Sequence, residues 1–170
     1  AFGLVKNGHA IQVIVGLSLF LTLFVMTPTF NAIYQEAYVP YEQGKINETE
    51  ALNKAAGPLK TFMLGQTREK DLEFMINLSK SPRPKNRSEV GLTVLIPSFI
   101  LSEIKTGFEI GFLIYIPFLI IDIVVASILV SLGMVFLPPV MVSLPFKVIL
   151  FIIADGWTLL IGALVKSFGG

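Results

Sequence analysis

Cysteine is absent from the 170 residues, which removes disulfides, thiolate catalysis and thiolate metal sites at once. Histidine occurs once, as His9, too few for a histidine metal cluster, and it reads as a solvent-side residue ahead of a helix. Charged side chains are scarce at 15%, and a net charge of +1 offers no basic surface to neutralise nucleic-acid phosphates. No glycine-rich phosphate loop, no metal-ligand spacing and no nucleophile with a base beside it occurs along the chain. Nor is there an internal repeat of the kind many transporters carry. The expectation is a non-enzymatic protein without catalytic residues, metal, cofactor or nucleic-acid partner.

What is present is apolar. A hydrophobic content of 54% and a mean hydropathy of +0.75 point to a membrane-embedded chain rather than a soluble domain of this length. Ile11 to Phe30 carries no charge. From Gly111 to Leu137 the only charge is Asp122, and from Val148 to Val165 the only one is Asp155. Such runs suffice for membrane helices, which need about 20 mostly apolar residues. The fold class expected is therefore an all-α integral membrane protein. Its C-terminal part, Pro97 to Phe168, reads as a helical hairpin bent at Leu137-Pro138-Pro139. Pro139 has no amide hydrogen, and Pro138 is pushed out of the α region by the proline after it. Pro97 and Pro117 are expected to kink the first arm, Lys147 to open the last helix, and Thr27-Pro28 to end the N-terminal one.

Three parts follow: an apolar helix in 1–30, a polar and mostly helical segment in 31–89, and the kinked hairpin with its Pro-Pro turn in 90–170. The chain begins at Ala1 rather than methionine, so a preceding segment is expected. Tyr34, Tyr38 and Tyr41 stand where an aromatic belt would sit. Asn47 with Glu50 three positions on fits a capping box opening a helix through Ala56. Gly57-Pro58 is expected to stop that helix and start another. Thr67 would cap a third, with Leu72, Met75, Ile76 and Leu78 as its apolar stripe. A basic, proline-broken loop runs from Ser81 to Arg87, and Ser88 would cap the helix that leads into the hairpin. A charged segment of this length can be translocated, so the polar part is placed outside the cytoplasm.

Ionisable groups inside apolar helices cost about 2.5–3.5 kcal/mol each on insertion scales and usually face protein or water. Four stand out: Glu103, Asp122, Lys147 and Asp155. Glu103 and Lys147 would sit at corresponding ends of the two hairpin arms, either pairing or reaching separately to the headgroups. Asp122 and Asp155 fit two readings. One is buried acids that hydrogen-bond a neighbouring helix or subunit; the other is a proton relay in an ion-coupled transporter or small channel. Gly156-Trp157 after Asp155 allows close helix approach. Gly133 to Leu137 puts bulky side chains ahead of the two prolines, which fits an ordinary buried hairpin tip first and an apolar seal second.

Leu95-Ile-Pro-Ser-Phe-Ile-Leu-Ser-Glu-Ile-Lys-Thr-Gly-Phe-Glu-Ile-Gly-Phe112, Ile116-Pro-Phe-Leu-Ile-Ile-Asp122, Leu137-Pro-Pro-Val-Met141, Ser143-Leu-Pro-Phe-Lys147 and Asp155-Gly-Trp157 resemble the FliP family of type III secretion export-gate proteins. So do Leu19-Phe-Leu-Thr-Leu-Phe-Val-Met-Thr-Pro28, Tyr34-Gln-Glu-Ala-Tyr38 and Phe62-Met-Leu-Gly-Gln-Thr-Arg-Glu69 upstream. The resemblance implies a structural subunit of the export gate in the flagellar basal body, in the bacterial inner membrane. A pentamer is expected, assembled with FliQ- and FliR-like subunits beside FlhB-like and FlhA-like components. Unfolded export substrates would pass through it, with lipid around it. The resemblance implies an intersubunit ion pair at Glu103 and Lys147. It also implies a gate loop at Met134, Val135, Phe136, Leu137, Pro138 and Pro139, where only Met134 remains of the family's methionine run. Pro138-Pro139 and the ending Gly162-Ala-Leu-Val-Lys-Ser-Phe168 favour the flagellar branch over the related SctR subunits of virulence systems.

Overall fold

The computed structural model describes residues 8–79, 83–134 and 136–169, so Lys6 and the start of the basic loop, Ser81-Pro82, lie outside the described residues. Among the described residues every element is helical. The all-α expectation holds. The chain divides into two compact units, Ala1–Glu103 and Ile104–Gly170, and the polar stretch 31–89 is contained in the first.

The first unit opens with α1, Gly8–Ile33, which carries Pro28 inside it. Helical backbone continues through a π-helical turn, Tyr34–Tyr38, into α2, Val39–Glu42. The expected stop at Thr27-Pro28 is therefore corrected. A proline removes one backbone bond, and apolar helices tolerate this because hydroxyl side chains and neighbours satisfy nearby carbonyls. Here Thr27 Oγ1 donates to the Leu23 carbonyl at 2.9 Å. Ser18 and Thr22 likewise donate back to Ile14 and Ser18, so their hydroxyls impose no unmet polar demand on the helix. Tyr34 and Tyr38 stack with ring centroids 5.3 Å apart, and with Tyr41 they are exposed beyond the apolar run.

Helix α3, Glu48–Gln66, starts on the expected capping box. Asn47 Oδ1 accepts from Glu50 N at 2.9 Å, and Glu50 Oε2 accepts from Asn47 N at 3.1 Å. It runs through Gly57-Pro58 without a break, contrary to expectation. Thr67 ends α3 rather than capping the next helix. Its hydroxyl donates back to Met63, and Arg68 precedes α4, Glu69–Leu78. From the expected stripe Leu72 is buried and Met75 and Ile76 pack beside it, whereas Leu78 is exposed. A short 3-10 turn, Arg87–Glu89, is capped by Asn86, whose Oδ1 takes the Glu89 amide and also the Ser88 hydroxyl. Asn86, not Ser88, supplies that cap. Arg87 fastens the turn to the α3–α4 corner by donating to the Leu64 and Thr67 carbonyls and pairing with Glu69 at 3.2 Å. The core of the unit is Leu72 against Val90, Val94 and Leu95, the last two on the first turn of α5, with Met63 and Leu64 of α3. Phe62 meets Phe99 edge-on at 5.9 Å.

Helix α5 is a single 40-residue element, Leu92–Ser131, containing both Pro97 and Pro117. Its end is set by Gly133, not by the prolines. Gly133 has φ +71°, its amide donates to Val130, and the Met134 amide donates to Leu129 at 2.9 Å. These are the two bonds of a Schellman cap with glycine in the left-handed position. The prolines act at the other side of the reversal. Pro138 is extended (ψ 115°), and Pro139 occupies the first turn of α6, Pro139–Ile153. Pro145 and Lys147 lie inside α6, so Lys147 does not open the last helix as expected. The long C-terminal run is itself broken. Asp155 takes a left-handed conformation (φ 48°), and α7, Gly156–Phe168, leaves at 62° to α6. By length and composition α5 and the stretch Gly8–Glu42 suffice to cross a membrane, and the bent α6–α7 pair adds a third span if taken as one.

The bend is held by aromatic packing. The Phe151 ring lies edge-on to Trp157 at 5.4 Å and 6.3 Å from Phe118. A Cβ on Gly156 would collide with that ring. Two opposite outcomes are therefore expected from adjacent residues, read by thermal denaturation in detergent. Asp155→Gly removes the left-handed penalty and stabilises the chain by about 1 kcal/mol. Gly156→Ala displaces Phe151 and destabilises by roughly 1–3 kcal/mol. Equal responses of the same sign would mean that the bend does not depend on this packing.

Candidate functional site in the apolar hairpin

Within the second unit α5 and α6 run antiparallel, and their register places charge against charge. Phe118 faces Phe151, and one turn further along α5 Asp122 meets Lys147, one turn back along α6. Lys147 Nζ donates to Asp122 Oδ2 at 2.6 Å, while Ser143 Oγ, one turn before Lys147, donates to Asp122 Oδ1. Both carboxylate oxygens are therefore engaged by charge-assisted bonds, one of them an ion pair. Ser143 is fully buried, and the Lys147 and Asp122 side chains keep 19% and 21% of their surface. An acid and a base that would each be costly alone in an apolar helix are carried together.

The arrangement has unused donor capacity at Lys147. An ammonium has three donors, and among the described residues Lys147 makes this single hydrogen bond. Each Asp122 oxygen already has one donor. The site can thus take a further carboxylate at Lys147 without releasing Asp122.

The other expected site residues separate. Glu103 lies half-buried at the end of the first unit, within electrostatic reach of Arg68. Opposite Lys147 on α5 stands Asp122, not Glu103, which corrects the expectation of matched depth within one chain. That expectation took Lys147 as the start of a helix, whereas α6 begins at Pro139. Asp155 sits exposed on the α6–α7 bend, so of the two acids only Asp122 is partly covered by the chain itself. No described hydrogen bond joins Asp122 to Asp155. Of the gate-loop residues, Val135 lies outside the described residues. Phe136 is wholly exposed, and Met134 and Leu137 are nearly half exposed, on the reversal between α5 and α6. Ser143 was not singled out in the sequence, although its i, i+4 spacing from Lys147 put both on one helical face. A second buried polar group, Asp71 with Ser102, gave no sequence signal at all.

A family model described as the FliP family matches residues 1–164. The chain is 51% identical, over 98% of its length, to the flagellar biosynthetic protein FliP of Buchnera aphidicola, of which it spans 46%. It is 52% identical to the protein of the same name from Bacillus subtilis, and 51% identical to that of Borreliella burgdorferi. Each alignment takes in 92% of this chain, with 71% and 63% of those relatives covered.

The cost of separating the hairpin charges is directly measurable. Lys147→Met leaves Asp122 with only Ser143 and should destabilise the chain by about 3 kcal/mol. Adding Asp122→Asn removes the orphaned charge, and the double variant should recover at least half of that loss in detergent unfolding. A double variant that adds the two single effects would show the pair to be two independent charges.

Proposed function

The chain belongs to the FliP family, and on that premise we propose that it is a structural, non-enzymatic subunit of the flagellar type III protein export gate. The family match over residues 1–164 carries this reading. In it, several copies assemble in the bacterial inner membrane at the flagellar basal body, a pentamer being expected. They join FliQ- and FliR-like subunits, with FlhB-like and FlhA-like components alongside. Unfolded export substrates then cross through the ring, and the loop Met134–Pro139 supplies an apolar seal.

The geometry supports a part of a larger assembly. Helix α1 buries none of its residues against its own chain over 26 positions, leaving apolar side chains for lipid or for other subunits to cover. Lys147 keeps two donors and a fifth of its surface, which suits a second carboxylate from a neighbouring copy. Glu103 is the residue assigned to that role. The rival reading, an ion-coupled transporter working through Asp122 and Asp155, finds less support. Asp122 is committed to Lys147 and Ser143, and Asp155 stands exposed at the bend.

The 170 residues contain no cysteine, so within them an introduced pair supplies the only thiols. Glu103→Cys combined with Lys147→Cys in the full-length protein, expressed with its neighbouring subunits, should oxidise to a ladder of covalent oligomers. The highest rung gives the copy number, and either single variant should yield nothing beyond a dimer. A double variant that stays monomeric under oxidation would overturn the intersubunit pair. For the seal, Met134→Ala with Phe136→Ala should make resting cells leaky to small solutes, since the constriction would lose its bulk. Unchanged permeability would place the seal in another subunit.

A further inference from the structure

Where the first unit meets α5 there is a second polar group that the hairpin does not use. Ser102 is fully buried, and its hydroxyl works in both directions: it donates to Asp71 Oδ2 at 2.9 Å and accepts the Arg68 amide at 3.0 Å. Asp71, in the first turn of α4, is itself only 2% exposed. Its carboxylate sits where the helix N-terminus favours negative charge. One helical turn before Ser102 stands Ser98, also fully buried, with its hydroxyl turned back onto Val94. This face of α5 is thus pressed against the α3–α4 corner from Val94 to Ser102. Ser102 makes its only described cross-links there, through a side chain and a backbone amide of that corner. The next residue is Glu103, last of the unit and half-buried.

We infer that Asp71 and Ser102 are positioning residues for Glu103: the buried Asp71–Ser102–Arg68 linkage fixes the turn of α5 that presents the Glu103 carboxylate to a neighbouring copy. This rests on the reading that Glu103 pairs between subunits. The physical argument is one of rotation. A helix held only by Leu, Val and Phe contacts can roll by a few tens of degrees at small cost, because apolar contact is not directional. Two hydrogen bonds through one hydroxyl are directional and stop the roll at Ser102. Glu103 follows one residue on, and its direction is set with that of Ser102. The same corner brings Arg68 into electrostatic reach of Glu103, so the acid is presented beside a positive charge of its own chain. Without the linkage the polar segment and the membrane helix would still pack, but the carboxylate would no longer be aimed.

The test compares oligomer abundance, by native mass spectrometry, for the full-length protein expressed with its neighbouring subunits. Ser102→Ala should lower the oligomer at least fivefold. Asp71→Asn, which keeps an oxygen able to accept from Ser102, should stay within twofold of the parent, while Asp71→Ala should fall with Ser102→Ala. The decisive comparison is in a Glu103→Gln background, where Ser102→Ala should have no further effect, since there is no carboxylate left to aim. If Ser102→Ala costs the same factor in both backgrounds, its role is packing alone and the inference is overturned, with the intersubunit pair intact. If Glu103→Gln by itself leaves the oligomer unchanged, the intersubunit pair fails, and the positioning role fails with it.

Discussion

A lysine ammonium in an apolar helix must find an anion, and in this chain the partner is Asp122 at 2.6 Å from Lys147. The second unit is built around that requirement. The two helices have to be antiparallel, the reversal has to be short, and Ser143 has to come into reach of the carboxylate's remaining oxygen. Insertion into lipid makes either charge alone expensive, so the pair favours a closed hairpin over any arrangement in which α5 and α6 separate. Dispersion contacts such as Phe118 with Phe151 fill the same interface, but they would tolerate a slip of register that the ion pair does not.

The two ends of the hairpin are made by different chemistry. Gly133 closes α5 through a left-handed residue and two backbone bonds, and Pro138-Pro139 then launches α6. Of the described residues between them, Phe136 projects fully and Met134 and Leu137 stay nearly half exposed. At the far end of α6 a non-glycine residue, Asp155, takes the left-handed conformation, and the bend is secured by the absence of a Cβ on Gly156 beneath the Phe151 ring. Backbone strain of this kind persists only when the surroundings over-determine it. Here the surroundings are three aromatic rings.

Unit one solves a different problem, that of joining a polar, water-facing segment to a helix meant for lipid. A small apolar core of Leu72, Val90, Val94 and Leu95 does part of this. The buried hydroxyl and carboxylate of Ser102 and Asp71, with Arg87 tied to the carbonyls at the end of α3, do the rest by direction rather than by area. Glu103 stands at the edge of this junction.

Local chemistry made some of this legible in the residues alone. The Asn47 capping box, the extended Pro138 before a helix-starting Pro139 and the first two membrane-length apolar runs each depend on near neighbours, and each holds. Proline was the misleading signal. Read as terminators, Pro28 and Pro58 lie within helices, because losing one backbone bond costs less than the rest of each helix contributes, and Pro97 and Pro117, expected as kinks, lie within the single 40-residue helix α5. Gly133 at the end of α5 was a readable stop that the two prolines overshadowed. What only the tertiary structure decided was partnership. Four ionisable residues in apolar helices said that charges must be neutralised, but not by whom. That answer depends on where α6 begins, which sets the register bringing Lys147 to Asp122 and leaves Glu103 with the α3–α4 corner. Asp71 was beyond reach of the sequence for the same reason. An acid in the first turn of a helix looks solvated until another helix covers it.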